Sequence, residues 1–252
     1  MTRHLALIIV SAVLLSSCSK PSSQEGLRIA GKVKFPQATG MIKLEMLGLE
    51  GIAPIDTITL AADSTFEVFV KVTEPSFFRV NFYGKQVVPL VLTTEDVFIE
   101  AEAYSAQAPV TVTGSRDTEY FEKAGRLNAK FQSDVQMLNG DYTQAMTAGD
   151  IEQGMAIQQQ YADIEAAFNK EMKGLIWSMG NSVSAIFALN YINPETEFAF
   201  TDSLSAKFAT ELPNSRFTKE LITRVESMRK LAVGSEAPEI SLPGPDGVDI
   251  SL

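Results

Sequence analysis

V-T-V-T-G-S-R-D-T-E, residues Val110–Glu119, is where this chain changes character. Val110–Thr113 is a run of β-branched residues, which suit a pleated strand. Gly114 interrupts it. Ser115 then supplies a hydroxyl at the position of a helix N-cap, and Asp117 and Glu119 follow where acids suit the positive end of the helix dipole. Upstream the pattern has a period of two, and downstream a period near 3.6. The sequence therefore predicts an α+β protein with its strands first and its helices second.

Outward from Val110 towards the N-terminus, residues 26–114 read as all-β. Strands are predicted at Leu27–Phe35, Met41–Leu47, Ile55–Leu60, Phe66–Lys71, Phe77–Phe82, Val87–Leu92, Val97–Glu102 and Val110–Thr113. Phe66, Val68 and Val70 share one face, as do Phe78, Val80 and Phe82, and Val97, Ile99 and Ala101. Strands this short, punctuated by Gly, Pro, Asp and Asn, predict an antiparallel β-sandwich or open barrel. Strict alternation points Phe77 away from Phe78. Its predicted role is to pack against the helical body, although Phe77, Phe78, Phe82 and Tyr83 could also line a ligand cleft.

Outward towards the C-terminus, residues 115–232 are rich in Ala, Gln, Glu, Lys and Met, and read as a helical domain. Between Asp150 and Met179, the residues Ile157, Tyr161, Ile164, Phe168, Met172, Leu175 and Met179 recur at spacings of three and four. That is one long amphipathic helix. Shorter helices are predicted at Asn181–Tyr191 and Asp202–Leu212, broken at Asn193-Pro194 and Pro213-Asn214. Ser215–Leu231 closes the set, with Phe217, Leu221, Val225 and Met228 on one face.

The last segment, 233–252, runs V-G-S-E-A-P-E-I-S-L-P-G-P-D-G-V-D-I-S-L. Two strand-like pieces, Pro238–Leu242 and Val248–Leu252, flank the turn-forming Pro243–Gly247. Val233, Gly234, Ala237, Pro238, Ile240, Leu242, Asp246, Gly247, Ile250, Ser251 and Leu252 match the pattern V-G-x-x-A-P-x-[FI]-x-L, a short gap, D-G and [VI]-S-L. This resembles the first hairpin of thioredoxin-like domains in the alkyl hydroperoxide reductase/thiol-specific antioxidant superfamily, especially the membrane-tethered TlpA-type thiol–disulfide oxidoreductases. Gly31–Val33, Ile55–Ile58, Phe77–Val80 and Val112–Ser115 resemble, in that order, the domain of unknown function that precedes the thioredoxin domain in such lipoproteins. Asn181–Ile192 and Leu212–Phe217 resemble their helical connector. In that family a buried strand follows the hairpin, and then W-C-x-x-C. The sequence ends at Leu252, before that point, so the resemblance implies an oxidoreductase while assigning its reactive residues to no position here. It also implies a protein thiol or disulfide as partner, engaged by a C-terminal domain beyond Leu252.

The N-terminus reads as an address. Met1–His4 is a short basic region, and Leu5–Leu15 is an apolar stretch too short to span a bilayer as a helix. Leu15-Ser16-Ser17-Cys18 fits a bacterial lipobox, with the one Cys of the chain at the lipid attachment point. The expected organisation is a signal peptide at 1–17, a lipidated polar tether at 18–25, the β domain at 26–114, the helical domain at 115–232 and the incomplete thioredoxin-like start at 233–252. Expected localisation is the cell envelope of a Gram-negative bacterium, facing the periplasm. By resemblance to Gram-negative lipoproteins, Ser19 does not favour inner-membrane retention, so the outer membrane is expected, with the leaflet left open.

Composition closes several chemistries. The chain has 1 Cys and 1 His in 252 residues, and both His4 and Cys18 fall in the N-terminal segment. A redox dithiol needs two thiols, and Ser-His-Asp or Cys-His catalysis needs a His. Most zinc sites need Cys or His. No catalytic, metal-binding or cofactor-binding residue is therefore expected in the mature chain, and lipidation of Cys18 is the one assigned site. A net charge of −10 argues against a nucleic-acid partner. Gly31, Gly40, Gly48 and Gly51 lack the spacing of a phosphate loop and are read as turn glycines. The acids Asp150, Glu152, Asp163, Glu165 and Glu171 are read as a solvated helix face rather than a metal or acid–base pair. Met155, Met172, Met179 and Trp177 are read as core packing rather than a partner groove. The expected function is the membrane-anchored module of a periplasmic TlpA-like oxidoreductase. The alternative is a non-catalytic lipoprotein acting as a binding or scaffold module. The oligomeric state is left open.

Overall fold

The computed structural model describes residues 25–48 and 51–231, together with 241–243, 245 and 249–251 of the tail. Cys18 and the expected signal segment at 1–17 lie outside the described residues. The chain is mixed α+β. Its strands are β1 (Leu27–Val33), β2 (Ile42–Gly48), β3 (Gly51–Ile58), β4 (Thr65–Val70), β5 (Ser76–Phe82), β6 (Gln86–Leu92), β7 (Val97–Ala101) and β8 (Val110–Thr113). The helices are α1 (Arg116–Ala148), α2 (Ile151–Ser178), α3 (Val183–Ala188), α4 (Phe198–Glu211) and α5 (Arg216–Leu231), with a 3-10 turn at Leu189–Tyr191. In the tail, β9 (Ser241–Pro243) and β10 (Asp249–Ser251) pair antiparallel, with Ile250 opposite Leu242.

Strands β1–β8 form two sheets of four, ordered β4-β1-β7-β8 and β3-β2-β5-β6. The alternation read from the sequence sets which side chains turn inward. Phe66, Val68, Val70, Phe78, Val80, Phe82, Val97, Ile99 and Ala101 all enter one apolar cluster fed by both sheets. Burying a side chain of this size contributes about 1.5–3 kcal/mol. Gln86 is buried and ties the sheets together. Its amide nitrogen donates to the Ala108 carbonyl at 2.5 Å, and its amide oxygen accepts from the Ala103 N–H at 3.0 Å.

Three expectations need correction. First, the sheets are not wholly antiparallel, because β1 and β7 pair in parallel, with Gly31 opposite Ile99. Pairing between strands so far apart in sequence leaves no mark on the period of either one. Secondly, Gly31 is not a turn glycine. It lies inside β1, where an added Cβ would collide with the Ile99 carbonyl oxygen and sit 2.6 Å from the Phe66 ring. Thirdly, β3 begins at Gly51, ahead of the predicted Ile55, and contains Pro54. Proline lacks the N–H that a central strand must donate. Here β3 is an edge strand, and the register slips beside Leu44/Glu45 so that Pro54 faces Glu45.

The junction at Ser115 folds as its residues dictate. Ser115 caps α1, its Oγ accepting from the Thr118 N–H at 3.0 Å. The same hydroxyl donates to the Val91 carbonyl at 2.8 Å, while the Thr118 Oγ1 accepts from the Val91 N–H at 2.9 Å. Strand β6 is one of the two edges of its sheet, and an unpaired edge invites association. The first turn of α1 satisfies that edge at Val91 and fixes where the helices begin. α1 and α2 form a hairpin, joined through Gly149 in the left-handed region (φ 77°) and the N-cap Asp150. The predicted face of α2 is largely realised. Ile157, Phe168, Met172, Leu175 and Met179 are buried, while Tyr161 is exposed.

Candidate functional site

The helices lie against the outer face of the second sheet, and Phe77 is the pivot. Phe77 and Val91 point away from the β core and pack with Val183, Phe121, Phe187 and Phe217. The Phe77 ring lies 5.7 Å from Phe121, 5.3 Å from Phe187 and 5.3 Å from Phe217, centroid to centroid. The Phe77 side chain thus packs on the helical body, as its alternation from Phe78 requires. Phe78 and Phe82 belong to the β core, and Tyr83 packs at its margin. These four aromatics do not form a common cleft.

A cleft does open where the helices leave the sheet. It encloses about 410 Å³. Leu47 and Phe77 line it from the sheet, Phe187 and Asn190 from α3 and the turn that follows, and Arg216, Phe217, Glu220 and Arg224 from α5. Residues 216, 220 and 224 recur every four positions, so they form one stripe along α5. Arg216 anchors the start of that helix. Its backbone N–H donates to the Glu74 Oε2 at 3.3 Å, its Nε is 3.4 Å from the Glu74 Oε1, and its guanidinium lies 4.7 Å from the centre of the Phe217 ring. Although close to Glu74, the buried Nε has no aligned hydrogen-bond acceptor. Arg224 donates to the neutral Asn190 Oδ1 at 3.2 Å. The sequence showed Phe217 and Leu221 as the apolar face of α5. It did not show that the neighbouring arginines meet Leu47, some 170 positions earlier in the chain.

The remaining candidates scatter. Asp150 is spent as the cap of α2, accepting from the Gln153 N–H at 2.9 Å, and Glu152, Asp163 and Glu171 are exposed. Among the described residues, no group of three or more His, Cys, Asp or Glu could hold a metal. Met172 and Met179 are in the helical core as expected, but Met155 and Trp177 are 66% and 52% exposed, which corrects the reading of all four as core packing. Trp177 stands beside Phe200 with the Lys207 ammonium 5.1 Å above its ring. Lys207 also donates to the Gly180 carbonyl at 2.8 Å.

A second feature went unread in the sequence. From Phe131 to Asn169 there is no Lys or Arg, while Asp134, Asp141, Asp150, Glu152, Asp163 and Glu165 are acidic. This stretch is the far end of the α1–α2 hairpin, and it exposes Met137, Met146, Ile151 and Met155. Among the described residues, no helix is long and apolar enough to cross a membrane. Comparisons with protein-family models, with curated proteins and with solved structures each find no match.

Proposed function

We propose that this chain is the lipid-anchored N-terminal module of a periplasmic TlpA-like thiol–disulfide oxidoreductase. The observation that carries the reading is the 233–252 motif, in which eleven residues from Val233 to Leu252 fit the start of a thioredoxin-like domain. On this reading the paired Ser241–Pro243 and Asp249–Ser251 are the first hairpin of that domain. Leu242 in this hairpin is 62% exposed, and a thioredoxin sheet would cover it. Two four-stranded sheets around one core are read as a β-sandwich over 26–114, and the helices of 115–232 as the connector. The anchored module spaces and orients the redox domain. It does no redox chemistry itself, because thiol–disulfide exchange requires a dithiol and Cys18 is the one thiol.

A second reading, a non-catalytic lipoprotein that binds or scaffolds, is favoured by one observation. After Cys18 the sequence holds neither Cys nor His. Both readings place the protein on the envelope through Cys18, with the outer membrane as its proposed location. The test of that anchor is palmitate labelling in cells. The parent chain should take up label, and Cys18→Ser should abolish both labelling and membrane retention. Undiminished labelling of the variant would refute the anchor. For the activity, soluble chain Ser19–Leu252 should reduce insulin no faster than an inert protein. Clear turnover above that background would contradict the assigned chemistry.

A further inference from the structure

We propose that the cleft between the second sheet and α5 is a binding site for a small aromatic monoanion, with its acid group held between Arg216 and Arg224. The space is of ligand size, since pockets for small molecules run from about 300 to 1,000 Å³ and favour the seams between packed bodies. Its volume of about 410 Å³ suits one compact molecule. The rings of Phe77, Phe187 and Phe217 give it an aromatic wall. Such a wall favours a flat apolar body, which can stack or meet it edge-on.

The polar side is specific to an acceptor. A guanidinium carries five N–H donors and no acceptor. Arg224 uses one of them on a neutral amide, and Arg216 turns its buried Nε to the Glu74 carboxylate at 3.4 Å, which leaves the Nη groups for a ligand. Its other contact, from Nη2 to the Ser76 Oγ, is long at 3.4 Å. A carboxylate or sulfonate supplies acceptors for the remaining guanidinium donors of Arg224 and Arg216, in the fork geometry that arginine matches best. Arg216 and Arg224 are two turns apart, about 12 Å along the helix, which two long side chains can close onto one acid group. Glu220 lies between them on the same stripe, and Glu74 adjoins Arg216. Those two carboxylates oppose a second negative charge, so the site selects a monoanion.

The test uses two fluorescent probes with the same aromatic frame. These are 1-anilinonaphthalene-8-sulfonate, an anion, and N-phenyl-1-naphthylamine, which is neutral. Each is titrated into the soluble chain Ser19–Leu252, which contains every described residue, and urea midpoints establish that each variant is folded. The anion should bind saturably at one site. Arg216→Gln and Arg224→Gln should each weaken it about tenfold or more, as expected for loss of a charge-assisted bond, while changing the neutral probe less than about twofold. Glu220→Gln should tighten the anion, a change that structural damage does not produce. Arg224→Gln and Glu220→Gln decide the matter if Arg216→Gln fails to fold, because Arg216 also holds the start of α5. Absence of one-site binding would overturn the proposal. So would arginine variants that bind the anion like the parent, or that lose both probes equally.

Discussion

Replacing Phe77 by alanine should lower the stability of the soluble chain by about 3–5 kcal/mol, the usual range for removing a buried phenylalanine. Phe77 is 8% exposed and is the one ring that touches Phe121, Phe187 and Phe217 together. The loss falls at the seam between the sheets and the helices, so the variant should unfold in two stages. Urea unfolding followed by far-ultraviolet dichroism at a helix-sensitive wavelength, and separately by Tyr and Trp fluorescence, checks this. Trp177 and several Tyr lie in the helical body, whereas Tyr83 and Tyr104 lie in the β portion. Val87→Ala, at an exposed position of β6, should change stability by less than about 0.5 kcal/mol. A Phe77 variant that unfolds in one step at the parent midpoint would show that the two bodies are not coupled through this ring.

The second large effect is expected at Gly31. Gly31→Ala places a methyl group against the Ile99 carbonyl oxygen and the Phe66 ring. The Ile99 carbonyl belongs to β7, hydrogen-bonded to β1, so it cannot retreat without disturbing the pairing, and the Phe66 ring is packed in the β core. Overpacking a tight core costs typically 1–3 kcal/mol, and a clash with backbone belongs at or above the top of that range. Gly140→Ala should do the opposite. It lies in α1 with no atom within 4 Å of the new Cβ, so alanine should raise stability by about 0.5–1 kcal/mol. Both shifts are read from urea midpoints. Equal effects at the two glycines would mean that the neighbours of Gly31 yield to the added methyl group and that no clash constrains the position.

Much of this architecture was legible because the period of a segment is local. Alternation at Phe66–Val70 and Phe78–Phe82 located strands and faces, and even the outward turn of Phe77. The 3.6 period of Ile157–Met179 located α2, whose cap Asp150 and last residue Ser178 fall within one residue of the predicted ends. What was hidden depends on partners. Nothing in Leu27–Val33 announces that β1 takes β7 as a parallel neighbour, so Gly31 was misread as a turn residue. Pro54 obscured the start of β3, because a proline is tolerated there by position in the sheet and not by its neighbours in sequence. The cleft joins β2 to α5, and its arginines carry meaning from what they face. Cys18, by contrast, was read from the lipobox alone and lies outside the described residues.

On the proposed reading, residues 18–232 support a redox domain that begins with the Val233–Leu252 motif. Sequencing the gene past the Leu252 codon tests it most directly. One further apolar strand is expected in frame, followed by Trp-Cys-x-x-Cys. A stop codon directly after Leu252 would contradict it.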